Sequence, residues 1–266
     1  MQPTNVNVSS LFGNKIQFRI PLFQRHYVWD MEDQWHPLWE DIEEKSNQRL
    51  ILHRRDKFSH FTGAIVIQQK PTNVDEVPKY EIIDGQQRLT SFQIILCALR
   101  DICASLEYND IANEVDGYVL NKGMLSSEYK DEHFKLIPTD FDKFSLKVIV
   151  EASTGGSLIE KQGRIRQAFD YFKTKIEKYC SDDRSKLLAV FHSVLNDFGL
   201  VQILIDSDDE PEMIFESLNG RGKSLLQFDL LRNNLFLRTR ISEDDRDLLY
   251  RNYWSHFETD YWEREV

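Results

Sequence analysis

The sequence predicts an α+β fold, and three observations carry the prediction. A β-prone run, Tyr80 to Ile83, is joined through Asp84-Gly85 to a stretch in which Leu89, Phe92, Leu96 and Leu99 recur at helical spacing. The elements of the first hundred residues follow the order helix, strand, loop, helix, strand, strand, helix, which is an α+β order. After a mostly helical middle, Leu200, Val201, Ile203, Leu204 and Ile205 form a strongly β-like run, apolar enough to belong inside a sheet.

Taken in order, Val6 to Phe12 reads as a short lead-in helix, and Lys15 to Ile20 alternates polar and apolar residues as a strand does until Pro21 ends it. Leu22 to Asp30 mixes aromatics with Gln24 and Arg25 and has neither period. Such a segment resembles a site loop more than a surface connection, which would be small and polar; Phe23, Tyr27 and Trp29 read as ordinary core anchors, whereas Gln24 and Arg25 do not. Glu32 to Gln48 is an amphipathic helix with Trp35, Leu38, Trp39 and Ile42 on one face. Arg49 to Lys57 is basic, with Arg54 and Arg55 at its centre, and suits either a polyanion or a solvated loop. Phe61 to Gln69 reads as a strand with Gly63 near its start, and Pro71 to Pro78 as a polar turn.

Beyond the central helix, Ile102 to Leu120 continues or re-nucleates a helix, Phe134 to Ile137 is a short strand, and Leu158 to Tyr179 and Lys186 to Leu195 are further helices. Thr154-Gly155-Gly156-Ser157 is the clearest flexible break. After the strand Gly199 to Asp206, a helix from Glu212 to Leu218 ends in Asn219-Gly220-Arg221-Gly222-Lys223-Ser224, and another helix follows from Leu225. The chain divides into an α+β part at 1–108 and a mostly helical part at 109–266 that returns one strand to the core.

Composition narrows the class. With 266 residues, 41% of them hydrophobic, the chain can bury a large core. No apolar run approaches the ~20 residues of a membrane span, and Met1 to Ser10 lacks the features of a signal peptide, so a cytoplasmic location and no membrane partner are expected. Cys97, Cys103 and Cys180 are few and odd in number and read as core thiols, and the seven histidines show no zinc-like spacing. Net charge is −11; residues 1–100 carry 12 Lys/Arg against 12 Asp/Glu, and residues 101–266 carry 21 against 32. The second part is therefore a poor non-specific binder of nucleic acid, whereas the neutral first part has room for a local basic patch.

The chemistry concentrates at Asp84-Gly85-Gln86-Gln87-Arg88, with Thr90 one turn on. A strand, a tight turn and a helix start aim free backbone N–H groups at whatever sits over the strand end, and Gly85 lets an anion approach closely. Asp84 is a poor neighbour for a bare phosphate; it suits Mg²⁺ or a water, with Arg88 as the anion's partner. The competing reading is structural, with Asp84 and Gln87 as N-cap and N3 of a capping box. The later Asn219 to Ser224 loop is not a P-loop, because Ser217 stands where the first glycine would be, but it is able to form a backbone nest with Arg221 or Lys223 supplying charge. Asp229 and Asn233 share one face of the next helix and suit a site wall.

Four stretches then converge. Ile20-Pro21-Leu22-Phe23-Gln24-Arg25-His26-Tyr27-Val28-Trp29, Ile83-Asp84-Gly85-Gln86-Gln87-Arg88-Leu89-Thr90, Phe215-Glu216-Ser217-Leu218-Asn219-Gly220-Arg221-Gly222-Lys223-Ser224-Leu225 and Asp229-Leu230-Leu231-Arg232-Asn233 resemble, in this order, the signatures of the N-terminal domain of GmrSD-type (type IV, modification-dependent) restriction proteins. The resemblance implies a core like that of ParB and sulfiredoxin, a small mixed sheet with helices in which a Gln-Arg segment and a helix start face a nucleotide. It further implies binding and hydrolysis of a nucleoside triphosphate, GTP or ATP with Mg²⁺, to license DNA cleavage in phage defence.

Carried over to these positions, Asp84, Gln86, Gln87 and Arg88 form the catalytic group, with Asp84 orienting Mg²⁺ or the attacking water. Gln24 and Arg25 contact phosphates, Gly85 to Arg88 and Thr90 form the cradle, and Asn219, Gly222, Lys223, Asp229 and Asn233 complete the nucleotide site. The family's nuclease usually lies in a separate HNH-type domain. No such motif is visible here, so the chain reads as a fragment or a stand-alone regulatory subunit with an HNH-type nuclease domain or subunit as partner. Two alternatives stand beside this reading. One is a sensor of modified DNA, glucosylated or phosphorothioate, using Tyr27 and Trp29 with Arg54 and Arg55; the other is a ParB-like nicking nuclease.

Overall fold

Strands nearly two hundred residues apart in sequence meet in one sheet, in a computed structural model that describes residues 2–21, 24–52, 60–74, 76–122, 131–151, 163–205 and 248–254. The six strands are β1 (Gln2–Asn7), β2 (Gln17–Arg19), β3 (His60–Gln69), β4 (Lys79–Asp84), β5 (Leu136–Ile137) and β6 (Phe198–Ile205). Their order across the sheet is β1-β6-β3-β4-β2-β5. β6 runs antiparallel to β1 and parallel to β3, β4 is antiparallel to β3, and β2 is parallel to both β4 and β5. This mixed sheet with its helices is an α+β architecture. Side chains alternate across it with the period of two that a pleated strand imposes. Ile65, Ile67 and Ile82 join the helical core, while Val66, Ile83 and Ile205 pack together on the opposite face.

The helices are α1 (Val8–Phe12), α2 (His36–Leu52), α3 (Gln86–Ser105), α4 (Asn109–Val119), α5 (Asp140–Val150), α6 (Arg164–Cys180) and α7 (Arg184–Asn196), with a π-helical turn at Met31–Trp35 leading into α2. The expected aromatic face of α2 is core: Trp35, Leu38, Trp39 and Ile42 are all buried. α3 is the axis of the molecule. Every residue from Gln86 to Arg100 except Arg88 is buried, so the helix is enclosed rather than laid on a surface. Near its far end, Arg100 donates to the carbonyls of Ile149 (2.7 Å) and Val150 (2.6 Å) and to Asp101 and Asp116, so that a buried guanidinium closes the C-terminus of α5.

Several elements differ from the sequence expectation. Residues 2–7 form an edge strand, not the beginning of a helix. α1 starts only at Val8, where Asn7 and Ser10 exchange capping hydrogen bonds at 2.8 and 2.9 Å. The helix expected from Ile102 onward re-nucleates, because the chain turns at Glu107 with φ 62° before α4 begins. α5 was not anticipated; its buried residues Asp142, Leu146, Ile149 and Val150 include a carboxylate, which blunts the apolar period. The strand expected at Gly199 to Asp206 is present as Phe198–Ile205, and the short one expected at Phe134 to Ile137 is shortened to Leu136–Ile137.

Cys97, Cys103 and Cys180 are free and buried, and burial pushes their thiols up to about 12, 11 and 12. Beside β2 and β5, Lys135 is buried with its Nζ donating to Asn14 O (2.7 Å) and Asn121 Oδ1 (3.0 Å), and burial pushes its ammonium down to about 8. No helix among the described residues is long and apolar enough to cross a membrane.

Candidate functional site

β4 delivers Asp84 to the end of the sheet, and one residue later α3 begins. Gly85 makes the junction with φ 95° and ψ 9°, the left-handed region that disfavours every residue with a side chain. Space imposes the same demand, since a Cβ at Gly85 would lie 2.6 Å from Ile65 Cγ2 and 3.1 Å from Ala64 O. The capping-box alternative is corrected here. The N-cap is Gly85, not Asp84, and no side chain caps the helix. Leu89 N donates to Gly85 O at 3.1 Å as the first turn closes, so the N–H groups of Gln86, Gln87 and Arg88 precede the helical ladder.

Gln87 is occupied elsewhere. Its Nε2 donates to His26 O (2.9 Å) and its Oε1 accepts from Val28 N (2.9 Å), so one amide pins the irregular loop at 24–30 to the helix start. The loop is fixed on its other side by α5, where Asp142 Oδ2 accepts from Tyr27 N at 2.6 Å. Tyr27 itself is 2% exposed; its hydroxyl pairs with Ser91 Oγ (2.7 Å) and accepts from Trp35 Nε1 (3.0 Å). Burial raises the phenol well above its ordinary value. Tyr27 is therefore a core anchor, which corrects its assignment to a DNA-contacting surface. Trp29 is half-buried against the same core.

Gln24 lies under the strand end. Its Nε2 donates to Ile82 O (2.9 Å) and Ile83 O (2.8 Å), while its Oε1 is buried with no hydrogen-bond partner among the described residues. Arg25, beside it, is half-buried.

Arg88 folds back toward β3. Nη1 donates to Ala64 O at 3.0 Å, the carbonyl that also abuts Gly85. The guanidinium fills the space left by Gly63, where a Cβ would come within 2.9 Å of Cζ and Nε. Gly63 has φ 113° and sits where the β3–β6 register shifts, so a bulge and a missing side chain together admit the arginine. In the sequence Gly63 stands only as one residue near the start of a strand. A glycine inside a β pattern was the available signal for a close approach.

The fold thus brings Gln24, Asp84, Gly85, Gln87 and Arg88 to one end of β4. Asp84 is half-buried and makes no hydrogen bond or ion pair with another described residue; Gln86 and Thr90 are buried. No group of three or more His, Cys, Asp or Glu able to hold a metal occurs among the described residues. Mg²⁺ takes one or two carboxylates and completes its shell with water and substrate phosphates, and Asp84 is the residue at this strand end that could supply one. Arg54, Arg55, Asn219, Gly222, Lys223, Asp229 and Asn233 lie outside the described residues.

The model of one protein family, described as GmrSD restriction endonuclease, N-terminal domain, matches residues 8–236. No curated protein matches the chain.

Proposed function

The chain belongs to the family of GmrSD restriction endonuclease N-terminal domains, and on that premise we propose that its β4–α3 junction binds a nucleoside triphosphate with Mg²⁺ and hydrolyses it to license DNA cleavage by an HNH-type nuclease domain or subunit. One observation carries the reading: α3 starts at a left-handed glycine with no side-chain cap, beside an arginine that spends a single donor among the described residues.

The N–H groups of Gln86 to Arg88 receive phosphate oxygens, where the helix dipole favours negative charge. Arg88 supplies the countercharge through the donors that Ala64 leaves over, and its anchor on β3 holds the guanidinium in place while phosphate charge is redistributed. The carboxylate of Asp84 would hold Mg²⁺, or would orient the water that attacks the terminal phosphorus and take up its proton as the bridging oxygen leaves. When bound, Mg²⁺ neutralises phosphate charge. Gln87 acts by positioning, since both ends of its amide are committed to the 24–30 loop. In phosphoryl transfer, placement and charge stabilisation are most of what a protein supplies.

The test is Mg²⁺-dependent phosphate release from GTP and ATP, with and without DNA, for the unmodified chain, Asp84→Ala and Arg88→Ala. Turnover lost in both variants, with melting temperatures retained, is the expected result. If no nucleotide binds and the variants match the parent, the junction is only a structural turn.

A further inference from the structure

The buried amide of Gln24 is not arranged as a phosphate ligand. A phosphate offers only acceptors at neutral pH, so a glutamine that binds it must present its NH₂. Here Nε2 faces two carbonyls, those of Ile82 at 2.9 Å and Ile83 at 2.8 Å. Turning the amide over would set Oε1 against both carbonyl oxygens, so the orientation is fixed by its partners. What remains is Oε1, an acceptor that no described residue meets, on a side chain that is 4% exposed. A buried acceptor left unmet is costly, and its usual resolution is a donor from water or a ligand. The two carbonyls belong to the residues just before Asp84 and Gly85, which sets this acceptor at the strand end where the uncapped helix begins.

We infer that Gln24 Oε1 accepts a hydrogen bond from the nucleoside half of the ligand, a sugar hydroxyl or a base amino group, and so makes the site select a nucleotide over a bare polyphosphate. This rests on the nucleotide reading of the junction. It divides the labour: the helix start and Arg88 hold phosphate, and the loop strand at Gln24 reads what the phosphates are attached to. Committing both amide hydrogens to β4 keeps the acceptor rigid, which lets a missing donor be felt as lost affinity instead of being absorbed by a rotation.

The experiment measures dissociation constants on the full chain and on the near-isosteric Gln24→Met. The ligands are GTP, ATP, their 2′- and 3′-deoxy forms, ITP and purine riboside triphosphate, which lack the amino group, and inorganic tripolyphosphate. On the unmodified chain at least one analogue should bind about tenfold or more weakly than its parent. On Gln24→Met the parent should fall to that analogue's level, while tripolyphosphate binds both proteins alike. Which analogue discriminates identifies hydroxyl or amine.

Equal weakening of tripolyphosphate and nucleotide by Gln24→Met would overturn the inference by returning Gln24 to the phosphates. Analogues that all bind like their parents would also overturn it, leaving Oε1 to a structural water. If neither nucleotides nor tripolyphosphate bind, the nucleotide reading itself fails, an outcome distinct from the other two. Should Gln24→Met not fold, the ¹⁵N-labelled side-chain amide of Gln24 in the unmodified chain decides. Its resonance is expected to move with the parent nucleotide and not with the discriminating analogue, and a signal that responds equally to both, or to neither, counts against the assignment.

Discussion

Two arginines on α3 show how one residue type serves opposite ends of a helix. Arg100 is 5% exposed and spends all its donors, on two carbonyls of α5 and on Asp101 and Asp116. Among the described residues Arg88 makes one hydrogen bond, to Ala64 O, and it lies in a space kept open by Gly63. The helix ends differ in the same way. α7 starts under Asp183, which accepts from Ser185 N at 2.8 Å, and α1 has its Asn7–Ser10 box, whereas α3 and α6 start at glycines with no side-chain cap, of which Gly85 alone is left-handed. Where hydrogen-bonding capacity is exhausted the group holds the fold, and where it is left over, next to unspent backbone donors, the group is available to a ligand.

The sharpest way to break that contrast is to delete each arginine. Arg100→Ala is expected to destabilise the chain by about 3 kcal/mol or more, because a buried, fully paired charge is removed and its partners are stranded. Denaturant unfolding measures this, and a loss under about 1 kcal/mol would erase the distinction. Gly85→Ala comes next, at about 2 kcal/mol, from the positive φ and the contacts with Ile65 and Ala64. Unlike Arg100→Ala it should also abolish nucleotide binding, since it moves the helix start itself.

Arg88→Ala should change stability by less than about 1 kcal/mol yet weaken nucleotide binding about tenfold or more. Calorimetry of folding and of binding on one sample separates the two effects. The last effect concerns Lys135, a second buried cation, whose hydrogen-bond partners among the described residues are amide oxygens. Its ammonium is pushed from 10.5 down to about 8, so between those values the unfolded chain binds more protons than the folded one. Stability therefore rises with pH across that window, and Lys135→Met should flatten the rise. An unchanged slope would mean that Lys135 titrates as an ordinary lysine.

The central junction was legible because its signals are local. A β-prone tetrad, a glycine and an i, i+3, i+7 apolar repeat lie within a few turns of one another, and β4, Gly85 and α3 follow directly. β1 was not legible. Gln2 to Asn7 carries Pro3 and almost no apolar period, and it is a strand because β6, from the far end of the chain, pairs along its whole length. α5 escaped for a related reason: its buried Asp142 has a partner only once the loop at Tyr27 arrives. Within the site, residue types were readable but roles were not. Asp84 and Gln87 fit a capping box by spacing, whereas Gln87 ties down a loop and Gly85 caps the helix without a side chain.

By itself, then, the sequence determined where chain-local physics decides: the helix that forms the core axis, the glycine that opens its N-terminus, the arginine one turn along it and the α+β class. Only the tertiary structure decided which polar groups are spent. That Gln24 turns its donors to β4 and keeps an acceptor, that Tyr27 is core and that Arg88 rests in the gap at Gly63 all depend on partners far along the chain. A hydrogen bond is a property of two groups, and a sequence names only one of them at a time.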